Sequence, residues 1–461
     1  MQKTKTIVSI GGAFLIVILG FYLRYKNHTL VPLPGESTDE YSNSWVGLSL
    51  IQLGLPVGRS GLLGYGGSDP RYINVDRIYS STAGGGPLGI NRPWLDHPPG
   101  LPLLTGGFAY LSGARVFEDA TARVIRKPML LIGTVTIALV GILTYQLAGT
   151  GAAFLAMGLY ATSPLMTVTS RMIQGENGVI VAFLTSLIFL NSYLTKKKNI
   201  FLWLAALAAG GALLFKVSGI AVAISGAVIL LSQENKKTAL RLWETALFLT
   251  VALSFLALFF VYGAAFDWST FVIIWQSNST RPYDIGFGSL FDLLTTTKIT
   301  VSKRLTEGWP LAGWISIFLL MAREKKRLFF FVALPVLVYL VIFLLMGGSA
   351  YGWYRLPFMP FLFIAIAVML VDGFRTENKI LPVLLILMPL GMTIHKLSEA
   401  QRLAAIIPLW RYGLPAVIGW FLFGKKARLN RFLYITLILA ALAANVWLNL
   451  SLTSEFYLKI N

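Results

Sequence analysis

Apolar runs long enough to cross a bilayer return about thirteen times along this chain, and every second gap between them carries a cluster of lysines and arginines. A membrane span needs about 20 mostly apolar residues. With 56% hydrophobic and only 13% charged residues among 461, the chain is too apolar for a water-soluble globule of this size. It is expected to be an all-α, polytopic membrane protein forming one integral domain over residues 1–461, with no large soluble domain between its spans.

The net charge of +19 would suit a nucleic-acid surface only if the basic residues formed one patch. They fall instead in short, regularly recurring loops: Lys3 and Lys5; Lys196 to Lys198; Lys236, Lys237 and Arg241; Arg323, Lys325, Lys326 and Arg327; Arg375 and Lys379; Lys425, Lys426, Arg428 and Arg431. That is the positive-inside pattern, which predicts a cytoplasmic N-terminus and a partner that is lipid bilayer and not nucleic acid. Cysteine is absent, so disulfides, thiolate metal sites and cysteine nucleophiles are excluded. The first run, Ile7 to Leu23, has no small-residue cleavage site before Arg24 and reads as an uncleaved anchor.

Spans are expected at about 6–23, 127–148, 151–169, 178–194, 200–215, 218–232, 243–264, 308–322, 328–346, 356–372, 380–395, 412–424 and 432–452, placing the C-terminus outside. Two long outer segments remain, about 24–126 and 265–307, and together they are expected to form the active-site face. In the first, Trp45, Leu48, Ile51 and Leu55 recur at helical spacing, predicting an interfacial helix over 41–55. Glycine-rich stretches at 61–67 and 84–86 follow, then Leu101 to Leu111, an apolar run short enough to dip into the membrane without crossing. The second segment holds Asp267, Trp268, Trp275, Arg281, Tyr283, Asp284, Phe287 and Phe291, either an aromatic belt with solvated charges or a cover for a substrate.

Acids are scarce, and Asp39 and Glu40 stand together just beyond the first span. Ser37 and Glu40 also fit a helix capping box, which explains Glu40 without chemistry but does not require Asp39. Trp94-Leu95-Asp96-His97-Pro98-Pro99 is a rigid extended bend, a plain turn on spacing alone. Arg171 and Glu176 share a short outer loop, and Lys216 ends an apolar stretch, where it either snorkels to headgroups or serves a function. Tyr354-Arg355 sits at another outer boundary, Arg355 being either an interfacial anchor or a phosphate clamp through its planar fork of donors. All of these fall on the outer side under one topology. There is no Walker loop, no HExxH and no dinucleotide fingerprint, so an activated donor used outside must arrive with the membrane.

These residues resemble the GT-C membrane glycosyltransferases that take sugar from a polyprenyl phosphate, including the protein O-mannosyltransferases and the aminoarabinose transferase of lipid A. Asp39-Glu40-Tyr41 is similar to the family's acidic pair in the first outer loop, and Asp96-His97-Pro98-Pro99 to the Asp-His-Pro-Pro of the mannosyltransferases. Arg126-Lys127-Pro128 resembles their Arg-x-Pro, and Arg171 with Glu176 an Arg and a later Asp, glutamate here replacing aspartate. By motif the resemblance covers roughly residues 1–220. The appended soluble domain of the protein-modifying members has no counterpart in this sequence.

The resemblance implies inverting single displacement on the outer face. Asp39 would deprotonate an acceptor on an envelope lipid, glycan or protein, and Arg355 first, then Lys216, Arg171 and Tyr354, would bind the departing phosphate. Glu40, Asp96, His97, Arg126 and Glu176 would position acceptor and active-site groups. The donor substrate would be a polyprenyl-phosphate sugar, and a divalent cation is left open, since family members differ on metal. The competing reading is a polytopic transporter or lipid flippase, although the paired inverted halves common in transporters are not seen.

Overall fold

The computed structural model describes residues 2–37, 39–76, 87–280, 286–323, 325–348, 351–375, 379–401, 405–424 and 427–459. The long connection after α1 (Gln2–Tyr25) contains α2 (Asp39–Leu53), α3 (Gly100–Leu111) and α4 (Ala122–Ile125). It also holds two three-residue strands, β1 (Asp69–Arg71) and β2 (Leu88–Ile90), paired antiparallel. Next come α5 (Lys127–Ala148), α6 (Thr150–Thr162), α7 (Pro164–Thr169), α8 (Gly175–Lys196), α9 (Asn199–Phe215), α10 (Ile220–Leu231) and α11 (Thr238–Phe266). A second connection carries α12 (Trp268–Ser279) and α13 (Phe287–Thr295). The chain closes with α14 (Trp309–Met321), α15 (Lys326–Leu328), α16 (Leu334–Met346), α17 (Met359–Arg375), α18 (Ile380–Gln401), α19 (Ile406–Phe423), α20 (Ala427–Ser451) and α21 (Ser454–Lys459).

Among the described residues eight helical stretches are long and apolar enough to cross a membrane, and six apolar helices are shorter. Helices suit this solvent because each satisfies its own backbone groups where water cannot. Several runs expected to be single helices are interrupted for local reasons. The run 151–169 breaks between α6 and α7, where Ser163 accepts a hydrogen bond from Met166 N–H at 3.2 Å and Pro164 opens the new helix. Ahead of α16, residues Phe329–Ala333 form a π turn in which Leu334 N–H reaches Phe329 O, beside Pro335, which has no N–H to donate. At the centre lies α17, whose residues Phe361 to Leu370 are all buried, as an apolar run without a polar face requires.

The interfacial helix expected over 41–55 is instead α2, enclosed by protein from Glu40 to Ser49. Its polar side chains are satisfied internally: Ser42 Oγ donates to Arg59 O at 2.5 Å, and Asn43 Nδ2 to Asp39 O at 2.8 Å. Gly47 and Gly106 let α2 and α3 touch backbone to backbone, since a Cβ on Gly47 would lie 1.8 Å from Pro102 O. With 12 residues, α3 is about 18 Å long, too short to cross about 30 Å of hydrocarbon.

Among the described residues, basic side chains of the 236–241 and 323–327 clusters are each held near one end of the bundle. Arg323 and Lys325 both pair with Asp372, Lys236 with Glu244 at 2.7 Å, and Arg327 Nη2 donates to Asn191 Oδ1 at 2.8 Å. Residues 24–36, 126, 171–176, 216 and 303–307 lie at the other end, where the site is built.

Candidate active site

Two arginines secure the entry to α2. A helix leaves its last four carbonyls without intrahelical donors. Arg171, fully buried, meets two of those of α1 and two in the segment after it: Nη2 donates to Leu23 O at 2.8 Å and Lys26 O at 2.6 Å, Nε to Arg24 O at 2.9 Å, and Nη1 to Val31 O at 2.7 Å. Arg126 does the same for the next stretch, donating to His28 O at 2.7 Å and Pro32 O at 2.8 Å while pairing with Glu40. Glu40 also accepts Gly35 N–H at 3.1 Å, and the Ser37 hydroxyl accepts from Gln174 Nε2 at 2.5 Å. The capping box of Ser37 and Glu40 is thus replaced by longer-range partners. Arg171, expected at a phosphate, and Arg126 and Glu40, expected beside an acceptor, are placed as fasteners of this loop.

A cavity of about 390 Å³ opens between the Trp94–Pro99 bend, the α9–α10 junction, α11, α12, α16 and the Gly352–Phe358 turn. Asp96, His97, Lys216 and Tyr354 all line it, with Phe259, Phe271, Trp275, Asn278 and Tyr339. Lys216 is the residue between α9 and α10, in extended conformation. Its ammonium pairs with the fully buried carboxylate of Glu176 and lies 4.0 Å from the centre of the Tyr354 ring. The cation is held by a carboxylate and a π face, and aromatic side chains form much of the wall around it.

Asp96 accepts hydroxyl hydrogen bonds from Ser60 at 2.5 Å and Tyr65 at 2.6 Å, and its carbonyl accepts from Asn278 Nδ2 at 3.1 Å. Burial and the adjacent Asp96 carboxylate push the Tyr65 phenol well up, keeping it a donor. The His97 ring meets Trp94 edge to face at 5.8 Å. These contacts turn the two-proline bend into a fixed wall between both long connections.

Arg355 follows Tyr354 but its guanidinium turns the other way. Nη1 donates to Asp292 O at 3.1 Å and Thr296 O at 2.5 Å, and Nη2 pairs with the Asp292 carboxylate, so Arg355 closes the C-terminal carbonyls of α13. Burial opposes ionisation of Asp292, yet the Thr296 hydroxyl, Lys298 and Arg355 together hold its carboxyl below the usual range. The residue expected first at a phosphate does not line the cavity; Lys216 does.

Asp39, half-buried in the first turn of α2, is outside the cavity lining. Two residues before it Ser37 bonds Gln174, and a Cβ on the next residue, Gly175, would lie 2.6 Å from Phe215 O, so the segment leading into α2 packs toward the Lys216 end. Trp275, noted in the sequence, reaches the cavity. Arg281, Tyr283 and Asp284 lie outside the described residues. Ser60, Tyr65 and Asn278 were not singled out by sequence, because single hydroxyls and amides in loops carry no spacing signal.

Among the described residues no three His, Asp or Glu side chains gather as metal ligands. Asp96 spends its oxygens on Ser60 and Tyr65, and one oxygen of Glu176 meets Lys216.

Glu307, buried where α14 begins, accepts Leu165 N–H at 2.7 Å. Burial pushes its carboxyl up to about 7, against the opposing hydrogen bonds from Ser163 and Leu165. A raised folded-state value means that its stabilising contribution is full below the unfolded carboxyl value of about 4.3 and is lost as pH rises through about 7. Thermal unfolding in detergent is expected to show wild type losing stability relative to Glu307→Gln across that window, by about 4 kcal/mol at most. Parallel pH profiles for the two proteins would contradict it.

Residues 96–262 match the family model described as dolichyl-phosphate-mannose-protein mannosyltransferase. No curated protein sequence matches the chain. Solved structures do. The crystal structure of ArnT from Cupriavidus metallidurans bound to undecaprenyl phosphate aligns over 99% of this chain and 77% of its own, at 14% identity and a TM-score of 0.57. The Archaeoglobus fulgidus oligosaccharyltransferase in its apo form aligns over 97% of this chain and 56% of its own, at 12% identity and a TM-score of 0.55. Arabinosyltransferase EmbB from Mycobacterium smegmatis aligns over 97% of this chain and 41% of its own, at 12% identity and a TM-score of 0.53. The family match runs from Asp96 through the two arginines and the Lys216 junction, the surrounding helices superpose on these three solved structures, and the chain accordingly has the GT-C fold.

Proposed function

We propose that this chain moves a sugar from a polyprenyl-phosphate donor to an acceptor on an envelope lipid, glycan or protein, at the outer face of the cell membrane. In this reading five of the six shorter apolar helices join the eight longer ones to give thirteen crossings, the sixth, α3, remaining in the outer connection. The basic end faces the cytoplasm. ArnT, solved with undecaprenyl phosphate, supports a lipid phosphate as the donor's anchor.

The observation that carries the reading is Lys216: a cation pinned by Glu176 and Tyr354 on an aromatic-walled cavity, at the end away from the basic loops. Such a cation meets the negative charge that develops as the phosphate departs. Asp39 takes the proton of the acceptor hydroxyl or amine, the acceptor's electron pair forms the new bond at the anomeric carbon, and the phosphate leaves with the electrons of the old one. The attack comes from the opposite side, so the configuration inverts. A second reading gives the proton to Asp96, which lines the cavity itself.

The test is transfer in proteoliposomes from a panel of labelled polyprenyl-phosphate sugars. Lys216→Met is expected to lower turnover by about 10²- to 10³-fold, with Lys216→Arg retaining part of it. Undiminished transfer by Lys216→Met removes the proposed phosphate site. Ligand uptake without transfer by wild type would establish the transporter reading instead.

A further inference from the structure

At the basic end of the bundle, a cavity of about 480 Å³ lies between the α10–α11 junction, the end of α14 and the π turn before α16. Arg241, Arg323 and Lys326 line it against one carboxylate, Glu234, over a floor of Met321, Phe329 and Phe330. We propose that this cavity binds the anionic phosphate headgroup of a membrane glycerophospholipid, independently of whatever the opposite cavity binds.

Three observations separate it from an ordinary stretch of positive surface. First, the guanidinium of Arg241 is pre-oriented: Nη1 donates to Leu231 O and Nη2 to the Thr238 hydroxyl, both at 3.0 Å, while Nε is buried and makes no hydrogen bond. Arg323 is likewise fixed by Asp372. Lys326 is the mobile arm, 77% exposed and 3.4 Å from an equally exposed Glu234, a contact worth little in water and easily exchanged for a phosphate.

Second, the floor is apolar and aromatic, and the π turn that Pro335 accompanies sets Phe329 and Phe330 side by side, 5.4 Å apart and edge to face. A soluble phosphate has no use for such a floor, whereas the glycerol and first methylenes of a lipid do. Third, the level is right. Trp243, two residues along α11 from Arg241, is 66% exposed, and Phe318, one turn along α14 from Met321, is 56% exposed. A tryptophan at this position suits the headgroup boundary, and an outward phenylalanine below it suits an acyl chain. Basic pockets between helices at such a boundary recognise anionic headgroups by charge and by directed donors.

Positive-inside bias alone would also put cations here, so the experiment compares charge with place. The full-length protein is reconstituted in nanodiscs of phosphatidylcholine with and without phosphatidylglycerol, and retained lipids are counted by native mass spectrometry. Wild type is expected to retain phosphatidylglycerol selectively. Arg241→Gln with Lys326→Gln should weaken that retention about tenfold or more, and Arg241→Lys with Lys326→Arg should keep it. Lys197→Gln with Lys198→Gln removes the same charge from exposed positions in the α8–α9 loop and should leave it unchanged. Because Lys326 is exposed, Lys326→Gln alone supplies a folded variant in which partial loss is expected. Equal loss in the Lys197 and Lys198 variant, or no loss in either cavity variant, overturns the proposal. Displacement of the lipid by inorganic phosphate would assign the cavity to a soluble anion and overturn it as well.

Discussion

Asp39→Asn is expected to lower sugar transfer by about 10²- to 10⁴-fold while leaving expression, thermal unfolding and donor binding near wild type. The first number is the usual contribution of a positioned general base. The second expectation follows from the local structure, because Asp39 is half-buried at the start of α2 whereas Glu40 beside it is wholly buried in an ion pair with Arg126. Asn keeps the shape and the helix-start polarity but cannot accept a proton. The informative comparison is Asp96→Asn. Asp96 receives the Ser60 and Tyr65 hydroxyls, so its replacement disturbs the wall of the cavity and is expected to act on KM as well as on kcat. Should Asp39→Asn transfer sugar at the wild-type rate while Asp96→Asn retains only a residual kcat with unchanged KM, the base would be reassigned to Asp96.

Glu40→Ala is expected to cost about 3–5 kcal/mol, the usual penalty for leaving one member of a buried ion pair without the other. Both side chains are almost wholly buried, and Arg126 also donates to the carbonyls of His28 and Pro32. Replacing Arg126 is therefore the costlier change, since it abandons Glu40 and those carbonyls together. Removing both charges, as in Glu40→Leu with Arg126→Met, should recover only part of the loss, because the carbonyls still lack donors. Differential scanning fluorimetry in detergent reads the series, and a midpoint for Glu40→Ala within a degree or so of wild type would contradict it. The adjacent acids thus separate into one expected to change rate and one expected to change stability.

That division was not legible from Asp39-Glu40 as a dipeptide. The existence, approximate extent and basic-end grouping of the helices were legible, because apolar length and the sidedness of lysine and arginine are written residue by residue. The motif stretch 94–99 was legible too, since two consecutive prolines restrict the backbone whatever surrounds them. Helix interruptions at Ser163-Pro164 and near Pro335 were locally encoded, yet they were hidden inside continuous apolar runs, which report hydrophobicity and not hydrogen-bond register.

Among the cationic candidates, sequence supplied the set and not the ranking. Arg126, Arg171, Lys216 and Arg355 all stand at the ends of apolar stretches, and a planar guanidinium favoured Arg355 at a phosphate. Tertiary structure ties all four to partners but turns three of them away from the cavity: Arg171 to the end of α1, Arg126 to the following loop and Glu40, Arg355 to α13. Lys216 alone of the four lines the cavity. The physical reason is that a buried charge must be matched by partners that lie far away in sequence, Val31 for Arg171 and Asp292 for Arg355. The amino-acid order determined by itself that this chain belongs in a membrane and which charges it carries there. Only the packing of distant segments decided which of those charges are consumed in holding the fold and which one faces a cavity.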